Sequence, residues 1–190
     1  MSPGGRPATT PPDAWAQAAL DEVEAAGVKA LSVEAVARRL GVSKGGAYHH
    51  FRDRRDLLRA ALALWERRQV TELNAQFAAV ADPRERLHVA LVEAFVALEP
   101  TVIVQFMAAS DDPDVAAALE RSTAARLALL RRTFRQLGAT RAQAEHRAIL
   151  AYGHYLGFAQ LRRHAPDLLA TPARLRAHLA QLERSLLEGL

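Results

Sequence analysis

The stretch SVEAVARRLGVSKGGAYHHFRDRRDLL, residues 32–58, decides how the chain is read. Ser32 precedes a short run, Val33–Leu40, whose apolar residues recur at helical spacing, and a serine in that place is a helix N-cap. Gly41 ends the run, because glycine takes the left-handed backbone that closes a helix without steric cost. Ser43 is a second cap, and residues 43–51 follow it as a second short helix. Two short helices joined by a tight turn containing glycine form the helix-turn-helix layout, whose second helix lies in the major groove of DNA. The pattern turns Val36, Ala37, Leu40, Val42 and Ala47 inward and leaves Ser43, Lys44, Gly45, Gly46, Tyr48 and His49 outward. Ser43 caps a helix end that favours phosphate, Lys44 adds a flexible cation, and Tyr48 brings a hydroxyl for phosphate and a ring for a thymine methyl. The adjacent glycines cost helix stability, which a close approach of backbone to DNA would justify.

Charge supports that reading. The chain carries a formal net charge of +4. Arg38, Arg39, Lys44, Arg52, Arg54, Arg55 and Arg59 face only Asp53 and Asp56 over residues 38–59, so this segment is net +5 and the remainder net −1. A cationic patch on a near-neutral body points to a polyanionic partner docking at one place.

Outward from the motif, the chain reads as all-α. Asp82-Pro83, Asp112-Pro113 and Thr171-Pro172 each set a capping residue before a proline suited to the first helical position, and Pro12-Asp13 resembles them. The expected helices cover 13–26, 33–40, 43–51, a long helix from about 53 to 80, then 84–98, 101–109, 114–137, 141–164 and 173–187. In the first, Ala16, Ala19, Leu20 and Val23 face inward; in the fourth, Leu57, Leu58, Ala61, Leu62 and Trp65 do. Residues 1–8 read as a flexible arm, with Arg6 as a cation within reach of DNA.

The same 27 residues resemble the signature of the tetracycline-repressor (TetR) family. Ser32, Val36-Ala37, Gly41-Val42-Ser43, Lys44, Gly45, Tyr48, His50, Phe51 and Leu57 match its pattern, and Ala18-Ala19, Val23 and Gly27 keep its first-helix spacing. The resemblance covers roughly residues 9–69 and implies a three-helix DNA-binding domain with the helix-turn-helix at about 32–51. It also implies phosphate contacts from Ser32 and from Arg54, which stands where the family usually has lysine. Gly46 and Ala47 depart from the family's usual hydroxyl residue and larger aliphatic. Residues 70–190 would then form a ligand-binding and dimerisation domain.

Sequence similarity is weak in that second part, and its residues are read on their own. Gly153 and Gly157 share one face of a long helix, where small side chains let another helix approach. Leu175, Leu179, Leu182 and Leu186 form an apolar stripe on the last helix. These six are the expected homodimer contacts. Trp65, Phe95, Phe106, Met107, Arg126, Tyr152 and Tyr155 are the expected ligand-pocket residues, joined among the apolar and polar side chains available by Phe77, Phe134, Phe158, Gln105, Ser122 and His154.

Enzyme chemistry finds no footing. The chain has no cysteine, its histidines show no i,i+4 pair for a metal, and no phosphate-cradling loop or nucleophile elbow appears. No cofactor or metal is expected. The expectation is a cytoplasmic homodimeric regulator, a repressor released from a palindromic operator by a small, largely apolar effector. The alternative is a helical small-molecule-binding or scaffold protein without DNA binding.

Overall fold

The computed structural model describes residues 10–43, 45–46, 50–97, 101–169 and 171–190, and among them every regular element is helical. The chain divides into two compact units, Met1–Trp65 and Glu66–Leu190.

In the first unit, α1 (Pro12–Ala26) begins at a proline without a side-chain cap and ends at Gly27. A 3₁₀ turn, Val28–Ala30, leads to α2 (Val33–Leu40), and α3 is Arg54–Glu66. Ser32 caps α2 as expected, its Oγ accepting from the Ala35 amide at 3.1 Å. Asp53 does the same for α3, accepting from the Asp56 amide at 2.9 Å. Gly41 is left-handed at φ 69° and closes α2 in a Schellman arrangement, with the Val42 amide donating to Ala37 O and the Gly41 amide to Arg38 O. The inward faces of α1 and α3 are the expected ones, and Trp15 and Ala18 join them in the core. Val42 is a correction. It was expected inward, but the left-handed Gly41 swings it outward, and it is 36% exposed.

The second unit holds α4 (Leu73–Ala79), α5 (Pro83–Val92), α6 (Thr101–Met107), α7 (Pro113–Gln136), α8 (Arg141–His164) and α9 (Pro172–Leu187). The three capped prolines stand at the starts of α5, α7 and α9. Asp82, Asp112 and Thr171 accept amides of the first turns through their side chains. α7 and α8 form a 24-residue-per-arm antiparallel hairpin whose turn carries a capping box between Thr140 and Gln143. Arg147 of α8 donates to the carbonyls of Leu186 and Glu188 at 2.8 and 2.6 Å and so ties down the end of α9.

The long helix expected from about 53 to 80 is not uniform. Its winding changes to π over Arg67–Glu72, and a second π segment, Glu93–Ala97, follows α5. No proline or glycine marks either place, so hydrophobic spacing gave no warning of them. π segments recur at functional sites; the second supplies Phe95 to the cavity described below, and the first supplies Gln69 to Arg126, which lines it.

Candidate nucleic-acid interface and ligand cavity

The first unit presents the expected helix-turn-helix entry. Ser32, half-buried, holds α2 through its hydroxyl oxygen and leaves the hydroxyl proton free to donate. Ser43 and Gly45 are exposed, and the Ser43 carbonyl accepts from the Gly46 amide at 3.1 Å. Lys44, Ala47, Tyr48, His49 and Arg6 lie outside the described residues. Neither glycine is demanded by the protein itself. A Cβ on Gly45 would meet only Ser43 Oγ at 3.7 Å, and one on Gly46 would meet Trp15 Cζ2 at 3.5 Å, both ordinary contacts.

The cationic patch is partly occupied by its own chain. Arg39 donates to Glu22 at 3.1 Å and Arg52 to Asp56 at 2.7 Å, while Arg59 lies 3.8 Å from Asp56. Both members of the Arg52–Asp56 pair favour their charged forms. Their mutual hydrogen bond is the main cause, raising the guanidinium and lowering the carboxyl. Arg38 is exposed, and its side chain makes no hydrogen bond or ion pair among the described residues. Arg54 differs most from expectation. Its Nε donates to Leu31 O at 2.8 Å and its Nη2 to Val28 O at 2.6 Å. Two of its three nitrogens therefore anchor the 3₁₀ turn that leads into α2, a structural task that the family position alone did not reveal.

In the second unit, Phe77, Ala90, Leu91, Ala94, Phe95, Arg126, Leu129, Leu130, Ala151, Tyr152 and Tyr155 enclose a cavity of about 40 Å³. Of the expected pocket residues, Phe95, Arg126, Tyr152 and Tyr155 come together here. Trp65 belongs to the core of the first unit, and Phe106 and Met107 do not line the cavity. Phe95 packs edge-on to Tyr155 with centroids 6.1 Å apart and lies 4.8 Å from Phe158. The Tyr152 hydroxyl is 3.2 Å from Thr123 Oγ1. Burial pushes the Tyr155 phenol up, and Arg126 pulls it partly back. Burial also lowers the Arg126 guanidinium from its ordinary value. Gln69 accepts a hydrogen bond from Arg126 Nη2. Sequence reasoning missed Gln69, for a glutamine on a helix 57 residues away carries no signal of such a partner. The two π segments contribute Gln69 and Phe95 to this one place.

The six expected dimer residues divide. Gly153 and Gly157 are exposed on α8 with nothing near their faces, on a stripe that includes exposed Ile149, Leu150 and Leu161. Leu179 and Leu186 are instead buried within their own chain at 6% and 2% exposure, and Leu175 and Leu182 are half-buried. The α9 stripe is drawn inward because α9 packs on α5 and α8 of its own unit, so the expectation for Leu179 and Leu186 is corrected. Facing α8 from α9, His178 Nε2 is 2.8 Å from His154 Nε2 with the rings stacked.

A capped α2 closed by a left-handed glycine in one helical unit, and a lined cavity in the other, give a two-part helical chain whose first part has the layout of a DNA-binding domain. Residues 17–61 match the family described as bacterial regulatory proteins, tetR family. Residues 17–61 are thus a TetR-type DNA-binding domain, and the helical remainder is like that of TetR regulators. A transcriptional regulator from Rhodococcus sp. Rha1 is similar over 95% of this chain and 97% of its own, at 26% identity and a TM-score of 0.78. A putative TetR-family transcriptional regulator from Rhodococcus sp. is 23% identical over 93% of this chain and 98% of its own, with a TM-score of 0.70. The transcriptional regulator FadR from Bacillus subtilis, solved in complex with stearoyl-CoA, shares the fold at 14% identity and a TM-score of 0.72, covering 93% of this chain and 98% of its own. No curated protein matches the chain in sequence. Among the described residues, no helix is long and apolar enough to cross a membrane, and no three His, Cys, Asp or Glu side chains converge as a metal site.

Proposed function

We propose that this regulator is a homodimeric repressor that holds a palindromic operator through its first unit and releases it when a small, largely apolar effector enters the second. The observation that carries the DNA-binding part is the Ser32-capped α2 closed by left-handed Gly41, inside the residues that match the TetR-type domain. Ser32, Ser43, Lys44, Gly45, Gly46, Tyr48, His49 and Arg54 are the proposed DNA-facing set, with Arg54 acting through the turn it anchors as well as through charge. Two recognition elements would meet half-sites about one DNA turn apart, or a multiple of it.

The exposed apolar stripe Ile149, Leu150, Gly153, Gly157 and Leu161 on α8 supports pairing of two copies through that helix. The cavity at Phe95, Arg126, Tyr152 and Tyr155 supports an effector site, and the structurally similar FadR, solved in complex with stearoyl-CoA, is a regulator of this fold that binds a ligand. The effector would act by shifting the population of DNA-competent and incompetent states. Duplex DNA as partner places the protein in the cytoplasm.

Footprinting on the DNA flanking the coding region, repeated at rising salt, tests the reading. A protected palindrome whose affinity falls steeply with salt is expected, because phosphate contacts release counterions. Lys44→Ala and Tyr48→Ala should weaken that protection while the dimer stays intact. Absence of binding to both flanking and random duplex at low salt overturns the proposal.

A further inference from the structure

Arg126 is a largely enclosed cation with no counter-charge among the described residues. Among the described residues its side chain has one hydrogen-bond partner, the neutral amide of Gln69, and it forms no ion pair. Its neighbours on α7 differ: Arg121 pairs with Glu66 at 2.8 Å and Arg131 with Glu145 at 2.6 Å, both near the surface. Among the described residues no acidic side chain lines the Arg126 cavity, whose other walls are aliphatic and aromatic. A guanidinium withdrawn from water into such a site is costly unless an anion meets it. The Tyr155 hydroxyl, on the same wall, has no hydrogen-bond partner among the described residues and, its phenol being held protonated, is a donor. Two donors thus line one cavity; among the described residues, the amide oxygen of Gln69 is the one side-chain acceptor that meets Arg126, and none meets Tyr155.

Size selects the anion. About 40 Å³ admits a group of roughly three water molecules. That suits a carboxylate, whose two oxygens match the guanidinium fork. Among the described residues Arg126 is the one charged side chain lining this cavity, and the next cation, Arg162, lines the adjoining groove together with Asp167 rather than the cavity itself, so a single anionic group fits here better than a polyphosphate. Phe95 is a wall of this cavity and also of a half-open groove of about 470 Å³, whose apolar lining of Phe158, Leu161, Leu168 and Leu175 is edged by the charged side chains of Arg162 and Asp167. That volume lies in the range of small-ligand sites. Phe95 stands in a π segment and Gln69 in the other, so both irregular windings border the place where a head group would sit.

We propose that Arg126, with the Tyr155 hydroxyl beside it, receives the carboxylate of a single-chain amphiphile whose apolar tail passes Phe95 into the groove along Phe158, Leu161, Leu168 and Leu175. The inference rests on reading the second unit as the effector domain, and it replaces a merely apolar effector with an anionic one.

The test is calorimetric titration of the full chain with sodium octanoate and with octan-1-ol, both below their aggregation limits. The wild-type chain should bind octanoate at least tenfold more tightly than the alcohol. Arg126→Met should remove at least tenfold of the octanoate affinity and leave the alcohol within about twofold. Tyr155→Phe, which keeps the ring and removes the donor, should weaken octanoate several-fold, and it carries the test if Arg126→Met fails to fold by circular dichroism. Equal affinity for acid and alcohol, unchanged octanoate binding in the folded variants, or no octanoate binding overturns the proposal. DNA binding is measured separately on the ligand-free proteins. Its absence in the wild type defeats the regulator reading and leaves the octanoate result to decide this one.

Discussion

Replacing Arg54 by methionine removes the two hydrogen bonds that hold the turn before α2 while keeping most of the side chain's apolar stem. Arg54 Nε and Nη2 donate to Leu31 O and Val28 O at 2.8 and 2.6 Å, and the side chain is half-buried. A hydrogen bond from a charged donor contributes about 1.5–3 kcal/mol, and partial solvent exposure argues for the lower end. Because water reaches the freed carbonyls in part, the two losses do not simply add, and a total of about 2–3 kcal/mol is expected. A unit of this size unfolds in urea with a slope of about 1 kcal/mol per molar, so its midpoint should fall by roughly 2–3 M. Both tryptophans of the chain, Trp15 and Trp65, lie in the first unit, so intrinsic fluorescence reads that unit selectively. Arg54→Lys should fall between the two, since one ammonium serves fewer carbonyls, yet it keeps the charge that a phosphate would need. Arg52→Met, which breaks an ion pair whose arginine is 85% exposed, should leave the midpoint in place. A midpoint within about 0.5 M of wild type for Arg54→Met would refute the structural role, and loss of operator binding with no loss of stability would return Arg54 to the DNA contacts.

Three other outcomes follow from the geometry. Gly45→Ala meets no obstruction in the protein and should stabilise the first unit by up to about 1 kcal/mol in the same urea assay while weakening operator binding by gel shift; unchanged DNA affinity would show that no close backbone approach uses this glycine. His154 sits below the usual histidine range, through burial first and His178 second, so the unfolded chain binds more protons near pH 6. Stability of the second unit should therefore fall as pH drops below about 6.5, followed by circular dichroism in urea, and the fall should be shallower in His154→Gln; parallel pH curves for the two proteins would count against it. Leu150, 63% exposed on α8, becomes glutamate in a test of the dimer: Leu150→Glu should shift light-scattering mass toward the monomer with helicity unchanged, and an unaltered mass would remove this face from the interface.

What could be read from the residues was local. Helix starts at Asp82, Asp112 and Thr171, the Ser32 cap and the Gly41 stop depend on neighbours a few positions away, and a capping side chain or a left-handed glycine is visible in a short window. The core faces of α1 and α3 followed from 3.6-residue spacing for the same reason. The outward turn of Val42 was missed because periodicity was carried through a glycine that reverses it. The π windings were missed because the apolar spacing predicts only which face is buried and not how the backbone of that face is wound. The pairing of Gln69 with Arg126 and the inward packing of Leu179 and Leu186 join residues far apart in sequence, and nothing short of the packed fold brings them together.

The arginines show how that non-local information assigns roles that charge counting cannot. Lysine accounts for only two of the 25 basic residues, Lys29 and Lys44, so nearly every cation is a planar fork able to hold carbonyls, carboxylates or a ligand. Partner chemistry separates these uses. Arg54, Arg86 and Arg147 donate to backbone carbonyls at chain turns, and each fastens a segment next to a helix end. Arg39, Arg52, Arg121 and Arg131 meet carboxylates at the surface, where water and salt weaken the bond and removing either partner changes little. Arg126 fits neither class: its partner is a neutral amide, its surroundings are apolar, and no anion meets it among the described residues. A fold can hold an arginine for its carbonyl contacts alone, but Arg126 has none among the described residues. If it served packing only, methionine would fill its place without the cost of burying a charge, and Arg126→Met would then be at least as stable as wild type and bind octanoate no worse. A variant that is more stable yet loses the carboxylate is the signature of a residue kept for its ligand.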